Sequence, residues 1–367
     1  MIQTYSSTIR RKEMEAVLTC MVDEKIGPGE MNAKLLQTVK EYTKCDGALA
    51  VRSPAIALEY AVKALALEKD SGILLSALAP AWQIQTVEKL GYKPMVLDVQ
   101  EDTGLVPVKY VEEGMQKGGR LLILAESMGI LPDIQSYLAL GIPIIEDISQ
   151  SALSYYPEEA AAVTEQKPAE KSGEESPAPE EPKGKRAGMY GTYAIWGMED
   201  RDVVTAGGGA VVFSASRRDW IVLKKIGDEA PSTDKMPDMN AALAYVEIKE
   251  FARNEITRRE LFALYSRSTM AGRHKTYIRA PEAGSTVYSF PLVLNSGFKD
   301  VKAYAQKKGI EVRQAYENSV IAMRQEELAP SCICANSLLL RCALFPLYPR
   351  LGQKDAERIV KVLQSLP

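Results

Sequence analysis

The sequence holds a single histidine, His274, and that scarcity closes several routes at once. A multi-histidine metal centre is excluded, and a Ser-His-Asp triad would have to be built on this one residue. His274 sits in AGRHKTY, and the chain has no nucleophile elbow, so it is read as a surface side chain. Cysteine is sparse too: Cys20, Cys45, Cys332, Cys334 and Cys342. An odd number without a regular spacing argues for reduced, buried or partly buried thiols, and one residue between Cys332 and Cys334 is not a zinc spacing. There is no excess of positive charge: 45 Lys and Arg against 48 Asp and Glu give a net charge of −3. That balance supplies no electrostatic footprint for nucleic acid or an anionic membrane. No apolar run approaches a membrane span. The opening MIQTYSSTIRRKEME is polar and unlike a signal peptide, so the expected location is the cytoplasm.

What is present suits a large core. The chain has 367 residues, 46% of them hydrophobic, which is room for a large domain and a smaller one. Short apolar runs alternate with amphipathic segments through the first half. Ala48–Val51, Ile73–Ser76, Pro94–Val99, Leu121–Ala125 and Ile142–Glu146 read as strands, and Ala55–Leu67, Trp82–Leu90, Val108–Met115 and Ile134–Leu140 as helices. Strands apolar throughout and separated by helices predict an α/β fold, a mostly parallel sheet with helices on both faces. Further strands are expected at Tyr190–Trp196 and Ala210–Phe213, with a tight turn at Gly207-Gly208-Gly209 between them. Helical patterns over Arg217–Ile226 and Met239 to about Tyr265 follow. A small C-terminal α/β unit carries a strand at Val287–Leu294 and a final helix at Gln353–Leu366. The division expected is a large domain over 1–235 and a small one over 236–367. The tract from about 157 to 185, rich in Glu, Pro, Lys, Ala and Ser, reads as a disordered insertion within the large domain.

Six short motifs occur in order along the chain: Val51-Arg-Ser-Pro-Ala-Ile-Ala-Leu58, Leu90-Gly-Tyr-Lys-Pro-Met-Val-Leu-Asp98, Ile145-Glu-Asp-Ile-Ser-Gln150, Gly184-Lys-Arg-Ala-Gly-Met-Tyr-Gly191, Thr205-Ala-Gly-Gly-Gly-Ala-Val-Val212 and Phe345-Pro-Leu-Tyr-Pro-Arg-Leu351. Together they resemble the DegT/DnrJ/EryC1/StrS sugar aminotransferases, pyridoxal-phosphate enzymes that aminate keto groups on nucleotide-linked sugars, as in polysaccharide biosynthesis. The resemblance implies a fold-type-I aminotransferase architecture with a mainly parallel seven-stranded sheet. It also implies a dimer, either a homodimer or a heterodimer with a related aminotransferase, and a nucleotide-sugar ligand. Carried over position by position, it implies that Asp147 pairs with the pyridine nitrogen of the cofactor and that Gln150 lies at the ring hydroxyl. Ser53 and Ala55 fall in the phosphate-binding turn.

Several of these positions depart from the family pattern. Pro54 stands where the turn has glycine and offers no N–H, and Ala55 stands where it has a threonine hydroxyl. Gly197 replaces a serine, and the ring-stacking aromatic falls at Pro80, two residues before Trp82. Each lost hydrogen bond to a charged group is worth about 1.5–3 kcal/mol. The family's F-S-F-x-x-T-K-N-x-T-A-G corresponds to Trp196-Gly-Met-Glu-Asp-Arg-Asp-Val-Val-Thr-Ala-Gly207, which puts Asp202 at the Schiff-base lysine. Neither Asp202 nor the adjacent Arg201 can form an aldimine. The readings this leaves are a catalytically degenerate homologue, a lysine-independent sugar-modifying enzyme with Asp202 as base, an ordinary sugar aminotransferase, and a non-catalytic nucleotide-sugar-binding or regulatory partner of an active paralogue.

Overall fold

The computed structural model describes residues 1–157, 184–270, 272–279 and 284–367. Its large sheet uses β1 (Gly47–Val51), β2 (Gly72–Ser76), β3 (Lys93–Leu97), β4 (Gly119–Ala125) and β5 (Ile144–Asp147). A short antiparallel pair follows, β6 (Tyr155–Pro157) with β7 (Gly184–Arg186). Then β8 (Tyr193–Gly197) and β9 (Ala210–Ser214) complete the sheet in the order β1-β9-β8-β5-β4-β2-β3. Only β9 runs against its neighbours; the other pairings, β8–β5–β4–β2–β3, are parallel. This is the expected mainly parallel seven-stranded sheet. The β2, β5, β8 and β9 strands are buried at every residue, as strands covered by helices on both faces must be.

The strand termini position the site. Parallel strands all point their C-terminal ends at one edge, and the chain must turn there into a helix or loop. Ser53 accepts a hydrogen bond from the Ile56 N–H at 3.3 Å and starts the Pro54–Leu65 helix, with Pro54 at its first position. The three glycines 207–209 all have positive φ, which lets the chain reverse tightly into β9. Glu146 is buried and accepts from the backbone N–H groups of Gly188, Tyr190 and Gly191, so two of the six sequence motifs meet through one carboxylate.

The C-terminal part carries a three-stranded antiparallel sheet, β10 (Phe290–Val293), β12 (Cys342–Phe345) and β11 (Arg313–Gln314), with its own apolar cluster. Ile2 belongs to that cluster and bridges Ile310, so the first residues pack on the last third of the chain. The helical pattern from Met239 onward is two helices, Asp238–Lys249 and Phe251–Thr269. Two N-terminal helices, Arg11–Val22 and Glu30–Thr43, had no counterpart in the sequence reading. Of the tract read as an insertion, 158–183 lies outside the described residues, and its ends, Pro157 and Gly184, are paired in the β6–β7 ladder. His274 is not a surface residue: it is 9% exposed, and its Nδ1 accepts from the Asn295 N–H at 3.2 Å. Four thiols are buried and Cys334 is half-buried, as expected.

Candidate functional site

A cavity of about 450 Å³ opens at the C-terminal ends of β2, β4, β5 and β8. Asp147 closes β5 and lines its floor, 4% exposed. Its carboxylate is fully engaged. Oδ1 accepts from the Ser149 N–H at 3.1 Å and from the Ser149 hydroxyl at 2.5 Å, and Oδ2 accepts from Gln83 Nε2 at 2.7 Å. Burial raises the Asp147 carboxyl above the usual aspartate range, and the Ser149 and Gln83 hydrogen bonds pull it back. The relay continues backward: the Gly197 N–H donates to Ser149 Oγ at 2.9 Å.

Asp202 also lines the cavity, in the loop after β8. Its Oδ2 accepts from the Glu199 N–H at 2.8 Å. Burial pushes its carboxyl up to about 8, and the neighbouring Asp147, Glu199 and Asp200 add to the rise, against that single hydrogen bond. Glu126, one residue beyond β4, lines the same cavity at 1% exposure. It accepts from the Ser151 hydroxyl and from the Tyr156 hydroxyl at 3.2 Å. Burial holds it well above its ordinary value, with buried Glu146 next in effect. Among the described residues that line the cavity the one cation is Arg201. Its Nη1 meets Glu317 Oε1 at 3.2 Å, and its guanidinium lies over the Tyr5 ring at 4.7 Å.

Of the residues singled out in the sequence, Asp147, Gln150 and Asp202 come together around this cavity. Gln150 Oε1 accepts from the Met128 N–H at 2.7 Å, holding the left-handed turn at Met128. The Ser53 hydroxyl is turned to its own helix cap, and of the Ser53-Pro54-Ala55 turn only Pro54 lines the cavity. Pro80 and Trp82 both line it. Sequence reasoning missed Gln83, Glu126, Tyr5 and Glu317. Glu126 carried a signal, a carboxylate directly after the apolar β4 run. Tyr5 and Glu317 reach the cavity, and Gln83 reaches Asp147 behind it, only through the tertiary fold.

Gly197 and Asp202 fit each other. A Cβ built on Gly197 would sit 2.6 Å from Ser149 Oγ, 2.9 Å from Asp202 Oδ2 and 3.1 Å from Ser149 Cβ. A serine here therefore collides with the present occupants rather than simply adding a hydroxyl. Gly197→Ser is expected to cost about 1–3 kcal/mol, as overpacking does. Ser149→Ala in the same chain should recover part of it, measured by urea denaturation. Equal losses in the single and double variants would show that the crowding lies elsewhere.

The fold and the cavity at the strand ends define the class: an aminotransferase-type α/β protein with its site at the C-terminal edge of the large sheet. The model of the DegT/DnrJ/EryC1/StrS aminotransferase family matches residues 7–364, and the chain belongs to that family. Solved structures share the fold at low identity. DesV of S. venezuelae, in complex with a ketimine intermediate, superposes with a TM-score of 0.81 at 17% identity, covering 96% of this chain and 93% of that one. A protein of Streptococcus pneumoniae assigned as a sugar aminotransferase, in its PMP-form, gives 0.81 at 14% identity over 97% and 95%. A variant of the GDP-4-keto-6-deoxymannose-3-dehydratase ColD, with bound GDP-perosamine, gives 0.80 at 12% identity over 99% and 100%. The family is one of sugar-modifying enzymes and its cofactor is pyridoxal phosphate.

The residues on this cavity match that cofactor poorly. Among the described residues that line it there is no lysine. The helix that would face the phosphate begins at Pro54, which has no N–H, and its cap hydroxyl is already used. The carboxylate that would meet the ring nitrogen is already held by Gln83 and Ser149. Carboxyl groups crowd a cavity where a phosphate dianion would need cations and N–H donors.

Proposed function

We propose that this chain is a catalytically degenerate member of its family, one that keeps the scaffold but no longer forms a Schiff base. The observation that carries the reading is Asp202. It stands at the lysine position of the motif, sits on the cavity wall, and is tied to the Glu199 N–H with Gly197 making room for it. In this reading the protein acts by binding. Its ligand is a nucleotide-linked sugar, and its partner is a second copy or an active paralogue that it regulates. The large domain over 1–235 and the small domain over 236–367 enclose the site. Exposed apolar residues at Met14, Leu18, Met21 and Val22, spaced along one face of the Arg11–Val22 helix, support a dimer surface.

The test uses added pyridoxal phosphate, borohydride reduction and peptide mass spectrometry. No pyridoxyl group is expected on any residue of the 196–207 segment, and no aldimine band in the visible spectrum. A stoichiometric pyridoxyl lysine accompanied by that band would return the protein to the active aminotransferases.

One observation favours a second reading, a lysine-independent sugar-modifying enzyme. A carboxyl pushed up to about 8 and lining the cavity can hold or move a proton at Asp202 Oδ at neutral pH. Turnover of a nucleotide-linked keto sugar that is lost in Asp202→Asn would support it.

A further inference from the structure

We propose that the chain carries a second binding site, outside the cavity, for the phosphoryl group of a small phosphorylated molecule. It lies where the start of the Arg11–Val22 helix meets the turn at Pro349 and Arg350. The inference stands apart from the reading of the cavity, and neither result bears on the other.

Three guanidinium groups share this place. Arg10, Arg11 and Arg350 line an open groove of about 660 Å³, and among the described residues that line it there is no carboxylate. That is room for a phosphorylated molecule of modest size. Arg10 and Arg350 come from opposite ends of the sequence and hold each other's segments in a reciprocal clasp. Arg10 Nη2 donates to the Pro349 carbonyl at 3.4 Å, and Arg350 Nη1 donates to the Ile9 carbonyl at 2.8 Å. Each guanidinium is therefore fixed against the residue that precedes the other arginine. A guanidinium has five N–H donors, so each keeps donors to spare after that one bond.

The clasp gathers like charges without neutralising them. Neither Arg10 nor Arg350 has an ion-pair partner among the described residues. The carboxylates of this region are committed elsewhere. Glu13 is buried and accepts from the Arg10 backbone N–H at 3.0 Å, Glu15 pairs with Arg11 at 2.6 Å, and Glu250 is held by Lys12 at 2.5 Å and by Arg253. Helix electrostatics favour acidic side chains at this end of the Arg11–Val22 helix, so the fold alone gives no reason for arginines here. An anion bound between the guanidiniums relieves their repulsion. A phosphoryl group fits best, because its oxygens point in three directions and can accept from forks arriving on two segments, whereas the two oxygens of a carboxylate lie in one plane.

The test uses the full chain at neutral pH and fixed ionic strength, with pyrophosphate as the first probe. Phenylglyoxal, which modifies arginine, is applied with and without pyrophosphate, and the modified positions are read by peptide mass spectrometry. Pyrophosphate is expected to protect Arg10 and Arg350 and to leave the exposed Arg218 reactive. In calorimetric titrations pyrophosphate should bind about tenfold more tightly than succinate, and phenyl phosphate at least as tightly as inorganic phosphate. Arg10→Gln combined with Arg350→Gln should weaken pyrophosphate by about tenfold or more. Arg11→Gln, at an exposed side chain bonded only to Glu15, should weaken it about threefold and keeps the test decisive if the double variant does not fold. The inference is overturned if protection spreads equally to Arg218, if succinate binds as well as pyrophosphate, or if the folded variants bind like the wild type. Binding of inorganic phosphate without binding of phenyl phosphate would overturn the assignment to a phosphorylated molecule.

Discussion

Gly129→Ala should destabilise the protein by about 3–5 kcal/mol, while Gly141→Ala should cost only about 1–2 kcal/mol. Both glycines have φ +68, so both substitutions carry the same left-handed backbone penalty. The surroundings differ. A Cβ on Gly129 would lie 2.6 Å from the Thr286 carbonyl oxygen and 3.0 Å from that of Gln150, whereas nothing lies within 4 Å of one on Gly141. Backbone atoms cannot rotate away as a side chain does, so three segments must separate to admit the methyl group. Those segments carry Met128, Gln150 and Tyr288, which line the cavity, so ligand binding should fall along with stability. Urea denaturation of the two variants checks this, and equal losses would show that the packing around Gly129 is not limiting.

Asp202→Asn should change how stability depends on pH. The folded chain holds this carboxyl at about 8, against an ordinary value near 4 in the unfolded chain. Between those values the folded state binds a proton that the unfolded state has released. Stability therefore falls as pH rises from about 4 to about 8, the reverse of a salt-bridged aspartate. Asparagine does not titrate, yet its side-chain oxygen can still accept from the Glu199 N–H. The variant should match the wild type near pH 3.5 and exceed it by roughly 2–3 kcal/mol at pH 8.5. That is less than full linkage, because the side chain is partly exposed and water relaxes around it. Glu126, Glu146 and Asp147 also sit above their ordinary values, so the wild-type profile alone would mix their effects with that of Asp202. The difference between the two proteins isolates it. Parallel profiles between pH 3.5 and 8.5 would count against a raised Asp202.

Much of the sheet was legible because its strands are short, apolar and bounded by turn residues. β2, β4 and β8 need no tertiary context to be read as strands buried on both faces. The two N-terminal helices were not legible. In the first of them Met14, Leu18, Met21 and Val22 stay exposed and only Glu13 and Cys20 are buried, so its apolar stripe does not mark a core face. His274 was misplaced for a related reason: its polar neighbours suggested surface, yet its imidazole packs against the Asn295 backbone from a distant segment.

The order of six motifs, the departures at Pro54, Ala55 and Gly197, and the carboxylate at position 202 are properties of the chain as written, and local sequence determined them. Only the tertiary structure decided what those departures do together. It set Asp202 Oδ2 and Ser149 Oγ around the space a Gly197 side chain would need, and it brought Gln83 from 64 residues away onto Asp147. It also gathered Glu126, Tyr5 and Glu317 from separate segments onto one cavity. Secondary structure follows local periodicity, so it can be read from neighbours in the chain. Electrostatics and hydrogen bonding at a site depend on distances between residues far apart in sequence, and those distances exist only once the sheet has assembled.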